Sequence, residues 1–245
     1  MKFLNKTSLL ISFSLLLIGC SPNMIQKDIN TGFTVESINI NDSATEYLTY
    51  IPEKYYKSGQ MPLLLFLHGA GERGDSLPKV KTWGPPKIAE RNHDFPFLMI
   101  APQCPQEKWW TDTSQITVLK NILNNTIAKY NIDTNRIYLS GLSMGGFGTW
   151  KLAYEIPTKF AAIAPVCGGG KTEWADKLSQ IPIWAFHGEM DNTVPIERTK
   201  TMVQAIKMRS PEEIKMTLYP ETGHFSWIKA YNQSDLFKWL LSHEK

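Results

Sequence analysis

The stretch Arg136-Ile-Tyr-Leu-Ser-Gly141-Leu-Ser143-Met-Gly145-Gly-Phe-Gly-Thr-Trp-Lys-Leu152 decides the fold. It opens as a short apolar strand, passes through Gly-x-Ser-x-Gly, and closes with helical spacing. A sharp strand-to-helix turn of this kind forces the serine backbone into a strained conformation. The flanking glycines are needed because a Cβ at either place would meet the neighbouring helix or strand. Ser143 is therefore the candidate nucleophile. The motif alone is weak; the strand before it and the helix after it make it informative.

Working outward, apolar runs recur on both sides. Pro62–His68, Phe97–Ala101, Arg136–Leu139, Phe160–Pro165, Ile181–Phe186 and Ile214–Tyr219 read as short strands, most of them apolar throughout, as strands buried on both faces must be. Helical patterns over Ser114–Tyr130, Gly146–Tyr154, Ile196–Met208 and Ser234–His243 alternate with them, which predicts a doubly wound α/β sheet. Ahead of these, residues 33–40 and 45–51 alternate polar and apolar residues around Asn41-Asp42-Ser43, the pattern of an antiparallel hairpin at the edge of the sheet. The segment Glu72–Asp94 reads as one long loop. No internal repeat or low-complexity stretch interrupts this order.

A serine nucleophile needs a base, and the base needs an acid that holds its tautomer and stabilises the imidazolium. The chain has five histidines. His68 and His187 end apolar strands and read as structural, His93 lies in a polar loop, and His243 is at the tail. His224, in Glu221-Thr-Gly-His-Phe-Ser-Trp227 after the last strand, is the best base. Asp191 follows the strand ending at Phe186 and is the candidate acid, with Glu189 as its neighbour and rival. The chain order Ser143, Asp191, His224 separates this set from the other two common triad orders. For the oxyanion, the Met144 amide is one donor. The glycine-rich turn Leu67-His-Gly-Ala-Gly-Glu-Arg-Gly74 offers a second through the Ala70 amide or, failing that, Gly71.

Those motifs, together with Ala101-Pro-Gln-Cys-Pro105, Trp109-Trp110 and His187-Gly-Glu-Met-Asp191, make the chain resemble the α/β-hydrolase superfamily from about Asn39 to the C-terminus. It is most similar to the small esterases once described as predicted peptidases and related to feruloyl esterases and polyhydroxybutyrate depolymerases. The resemblance implies an α/β-hydrolase fold: a mostly parallel, doubly wound sheet with N-terminal antiparallel edge strands. It also implies a Ser143–Asp191–His224 triad, an oxyanion hole from the Ala70 and Met144 amides, and no cofactor or metal. Only residues 166–180 separate two central strands where related enzymes insert a lid, so no lid domain is expected.

The expected reaction is hydrolysis of carboxylic esters through an acyl-enzyme, on short acyl or polysaccharide-linked acetyl or feruloyl esters. A serine peptidase of the same fold and a non-catalytic envelope binding lipoprotein are the alternatives. The peptidases usually carry a large gating domain, and degenerate binders usually lose a triad member. Eight tryptophans are many. Trp83, Trp109, Trp110, Trp174 and Trp227 fall in or beside loops at the predicted catalytic edge; of these Trp83, Trp109, Trp110 and Trp227, with Arg73, are candidate substrate contacts. Arg73 could instead pair with Glu72 or Asp75.

At the N-terminus, Met1-Lys2 and Lys6 precede the apolar run Leu9–Ile18 and then Gly19-Cys20, the order of an export signal. Leu17-Ile-Gly-Cys20 resembles a bacterial lipobox, which implies cleavage before Cys20, its lipidation, and a lipid anchor in the cell envelope. Ser21 next to it resembles an outer-membrane sorting residue. The expected organisation is a signal peptide over 1–19, a tether over 20–31 and a catalytic domain over 32–245. Two further cysteines, Cys104 and Cys167, could pair or stay free in an exported compartment. With 26 basic and 23 acidic residues and no long basic run, the net charge of +3 argues against a nucleic-acid partner. Oligomeric state is not legible.

Overall fold

The computed structural model describes residues 30–40, 43–56, 59–233 and 235–245. The signal segment, Cys20, most of the tether and the tip residues Asn41 and Asp42 of the expected hairpin lie outside them.

Eight strands form one sheet: β1 (Gly32–Ile40), β2 (Ser43–Ile51), β3 (Met61–Leu67), β4 (Leu98–Pro102), β5 (Ile132–Leu142), β6 (Ala162–Val166), β7 (Ile183–Gly188) and β8 (Ile214–Tyr219). Their order is β1-β2-β4-β3-β5-β6-β7-β8. β1 pairs antiparallel with β2, and β2 antiparallel with β4. Every other pairing is parallel. The difference was written in the residues: β1 alternates in burial, whereas β3 is buried from end to end.

The pleat sends alternate β3 side chains to opposite faces. Leu63, Leu65 and Leu67 join one core with Leu119, Leu139 and Trp150. Leu64 and Phe66 join the other with Phe97, Tyr138 and Phe186. The first core is covered by α2 (Thr113–Lys129), α3 (Met144–Glu155) and α5 (Glu197–Lys207), the second by α1 (Gly84–Arg91), α6 (Trp227–Gln233) and α7 (Leu236–Leu241). Burying each of these large side chains stabilises the fold by about 1.5–3 kcal/mol.

Two expectations change. Residues 72–94 are not one loop: a 3-10 turn at Leu77–Lys81 is followed by α1, whose first turn holds Pro85 and Pro86. Proline fixes a helical φ and lacks an N–H that the first turn would leave unbonded anyway, so a residue pair that reads as a breaker starts a helix instead. The helix expected over Ser234–His243 is found as the shorter α7, and α6, which was not expected, precedes it. The β6–β7 connection holds one 3-10 turn, Thr172–Trp174, and α4 (Ala175–Leu178), with no lid. Cys104 and Cys167 are both buried free thiols, unbridged. No helix among the described residues is long and apolar enough to cross a membrane.

Candidate active site

Only Ser143 separates β5 from α3, and it takes up the whole change of direction with φ 53° and ψ −117°. Such a backbone is strained for a residue with a Cβ and persists only because its surroundings hold it. Its amide donates to the Val166 carbonyl at 3.0 Å, tying the turn to the end of β6. The close approach explains the glycines. A Cβ on Gly145 would sit 1.9 Å from the Leu67 carbonyl oxygen, and one on Gly141 would sit 2.4 Å from that of Gly145.

His224 lies on a 3-10 turn after β8, and Asp191 lies in the loop after β7. Backbone bonds bring the two loops together: Glu189 N–H to the Tyr219 carbonyl and Met190 N–H to that of Thr222, both at 3.0 Å. The result is a chain of hydrogen bonds. His224 Nδ1 lies 2.8 Å from Asp191 Oδ2, and His224 Nε2 lies 2.9 Å from Ser143 Oγ. With Nδ1–H donating to the carboxylate, Nε2 is left free to accept the serine proton. Glu189 is exposed on the surface.

Burial alone would raise the Asp191 carboxyl. Hydrogen bonds from His224 and from the Val194 and Thr193 amides outweigh it and hold the group below the usual carboxylate range. Both amides reach Oδ1 at 2.9 Å, which fixes the plane of the carboxylate and presents Oδ2 to the histidine.

His187, read as structural from the sequence, is fully buried behind Asp191. Its Nε2 lies 2.9 Å from the Val194 carbonyl and 3.2 Å from Asp191 Oδ2, while Nδ1 lies 2.7 Å from Thr199 Oγ1. Desolvation by burial lowers its pKa, against the Val194 carbonyl and the Asp191 carboxylate, which pull it up. Thus the acid is flanked by two imidazoles, one facing the serine and one facing the core. Nothing local in the sequence signals that second contact, since it depends on the turn between β7 and α5.

The other buried histidine shapes the loop after β3. His68 Nε2 accepts the Cys104 amide at 3.0 Å and its Nδ1 bonds the Gly69 carbonyl at 2.6 Å. This leaves a neutral ring, its pKa pushed down to about 4 by burial. Ala70 is the first residue of the following 3-10 turn, and Met144 is the first of α3. Amides at such first positions have no acceptor within their own helix and are free to point at an anion. The two elements touch: a Cβ on Gly69 would lie 3.7 Å from that of Ser143.

Arg73 does not pair with Glu72 or Asp75. Its Nε donates to the Ala70 carbonyl at 3.1 Å, and its guanidinium lies 5.0 Å from the centre of the Trp109 ring. It braces the loop. Of the four tryptophans expected to meet substrate, two do not face solvent. Trp110 is fully buried, with its indole N–H on the His68 carbonyl at 3.0 Å, and Trp227 is almost fully buried with its ring against His224, 5.1 Å between centroids. Trp109 is about half exposed, at 49%, and Trp83 is half-buried against Phe225 and Trp227. Phe225, next to His224, and Met190, next to Asp191, are exposed at the rim and were not singled out in the sequence.

One group of residues near the serine has metal-ligating side chains. Cys167, Asp191 and His224 offer atoms within 4.8 Å of one another. The carboxylate and imidazole are already bonded to each other, and burial pushes the thiol up to about 12, so this trio suits a hydrogen-bonded triad better than a cation.

A serine on a strand-to-helix turn at the carboxyl end of β5 in a mostly parallel sheet, reached by an aspartate from the loop after β7 and a histidine from the loop after β8, defines an α/β-hydrolase. Residues 95–234 match the phospholipase/carboxylesterase family, and the chain belongs to it. It is 31% identical over 143 residues to a bifunctional acetylxylan esterase/xylanase of Neocallimastix patriciarum, covering 57% of this chain and 20% of that protein. Identity to a probable feruloyl esterase C of Aspergillus terreus is 26% over 158 residues, 64% of this chain and 58% of that one. The crystal structure of a thermostable esterase superposes with a TM-score of 0.76 at 30% identity, covering 87% of this chain and 63% of the other. The chain thus spans between a fifth and about three-fifths of the length of these two curated relatives.

Proposed function

We propose that the protein is a serine carboxylesterase that removes acetyl or feruloyl groups from polysaccharides. The observation that carries this reading is the continuous hydrogen-bonded path from Ser143 Oγ through His224 to Asp191, at 2.9 and 2.8 Å, beginning on a strained serine. In the reaction, Ser143 Oγ attacks the ester carbonyl carbon as His224 Nε2 takes its proton. The oxyanion is met by the Ala70 and Met144 amides. Collapse breaks the bond to the alkoxy oxygen, which leaves as the alcohol with the proton from His224. Water, deprotonated by the same histidine, then releases the acid and restores Ser143. No cofactor enters.

The substrate class is supported by the acetylxylan and feruloyl esterases among the relatives and by the lidless site, which accepts a ring-bearing or polymeric ester from open solvent. The Leu17-Ile-Gly-Cys20 motif supports a lipoprotein anchored through Cys20 in the bacterial cell envelope, with Ser21 favouring the outer membrane.

The test is hydrolysis of p-nitrophenyl esters of rising chain length, methyl ferulate and acetylated xylan by the full-length protein in detergent. Activity should be highest on short acyl groups, ferulate or acetylxylan, and should fall by about 10⁴-fold or more in Ser143→Ala. Equal rates in the variant would overturn the reading. Labelled palmitate should enter the wild-type chain and not Cys20→Ala.

A further inference from the structure

A cleft of about 440 Å³, which meets the helix carrying the nucleophile at Phe147, has a wall that includes Phe147, Lys151, Lys171, Trp174 and Arg198. Its place is fixed by backbone packing. Phe147 N–H bonds the Ser143 carbonyl at 3.1 Å, so the aromatic ring stands one helical turn from the nucleophile. Gly146 of that turn touches Gly168, where a Cβ would be 2.5 Å from the Gly146 carbonyl carbon. The next two glycines run between Arg198 and Trp174: a Cβ on Gly169 would be 2.8 Å from Arg198 Cβ, and one on Gly170 would be 2.9 Å from Trp174 Cε3. Thr199, adjacent to Arg198, anchors this wall by donating to the Gly168 carbonyl at 2.6 Å.

The charge of this cleft is one-sided. No carboxylate of the described residues lines it. Lys151 is held by Glu155 at 2.6 Å, but Lys171 and Arg198 make no ion pair among the described residues. A second cleft of about 280 Å³, walled by Trp83 and Trp227, likewise carries Lys87 and Arg91 and no carboxylate. Trp227 ties it to His224. Cations without a carboxylate partner, as Lys171 and Arg198 are among the described residues, beside aromatic rings suit a ligand that has both a sugar ring and a negative charge.

We infer that the carbohydrate bearing the ester is acidic, and that the Phe147–Arg198 cleft binds the carboxylate of a uronic acid near the acyl group, with Arg198 and Lys171 as its counter-charges. This rests on the esterase reading above and names its substrate class. A planar guanidinium matches a carboxylate in a two-pronged, charge-assisted geometry, and a neutral xylose or arabinose unit brings no charge to it.

The experiment compares acetylated xylo-oligosaccharides carrying glucuronic acid, the same oligosaccharides after enzymatic removal of that acid, and acetylated oligogalacturonides, using the full-length protein in detergent. Each rate is divided by the p-nitrophenyl acetate rate of the same preparation. We expect kcat/KM on at least one acidic substrate to exceed the neutral one by about fivefold or more, mainly through KM, and the excess to shrink in 0.5 M salt, where exposed charges are screened. The substrate that shows the excess identifies the polymer. Arg198→Ala/Lys171→Ala should abolish it. Equal turnover of acidic and neutral substrates, or a preference that survives the double variant, overturns the inference. Loss of p-nitrophenyl acetate hydrolysis in Ser143→Ala, seen in the same series, keeps the esterase reading standing in either case; its absence would remove that reading instead.

Discussion

His187 Nε2 lies 3.2 Å from the same Asp191 oxygen that receives His224, so the acid is positioned from behind as well as from the active face. Removing that contact leaves Asp191 held by His224 and by the Thr193 and Val194 amides. We expect His187→Leu to lower kcat by about tenfold with KM little changed, because small misplacement of a catalytic group acts on the transition state. A purely structural role would lower the melting temperature and leave kcat per folded molecule intact.

The neutral state of His68 makes the fold sensitive to acid. Its pKa falls from 6.5 in the unfolded chain to about 4 in the native one, because burial penalises the charged ring. Between those values the unfolded state binds a proton that the native state does not, so stability is retained above pH 6.5 and lost as pH falls toward 4. The loss from this group is roughly 3 kcal/mol. Thermal melts of wild type and His68→Gln across that range should show a shallower decline in the variant, although the variant starts lower.

Neighbouring tryptophans should behave oppositely. Trp110 is fully buried and bonded to the His68 carbonyl, so Trp110→Ala should cost about 3–5 kcal/mol. Trp109 is exposed and touches the Arg73 guanidinium, so Trp109→Ala should cost no more than about 1 kcal/mol. Chemical denaturation of the two variants separates them.

Cys104 and Cys167 are buried free thiols, both pushed up to about 12 by desolvation. In a Cys20→Ala chain, a thiol reagent should therefore react with neither in the folded protein and with both after unfolding. A reducing agent should leave the melting temperature unchanged; a drop would point to a bridge.

Most of the strands were legible along the chain because a strand buried on both faces must be apolar along its length, as Pro62–Leu67 is. The Ser143 turn was legible because its demand for glycine is local: Gly141 and Gly145 lie within two residues of it. What failed was decided at a distance. Whether Trp109 or Trp110 points inward depends on where His68 lies, 42 residues from the buried one. Pro85 and Pro86 look like loop residues until α1 is seen packing on the sheet. The basic cleft draws Lys151, Lys171 and Arg198 from three separate elements, and no window of sequence contains them together.

The short β6–β7 connection places no lid over the serine, which is partly exposed. A long chain can lie across such a site with both of its ends protruding, so pendant groups can be removed from mid-chain without threading or a free terminus. Among the described residues no lid has to open before the substrate enters or close before the acyl group transfers. With no gate among the described residues, dryness around the oxyanion must come from the substrate's own body covering the serine.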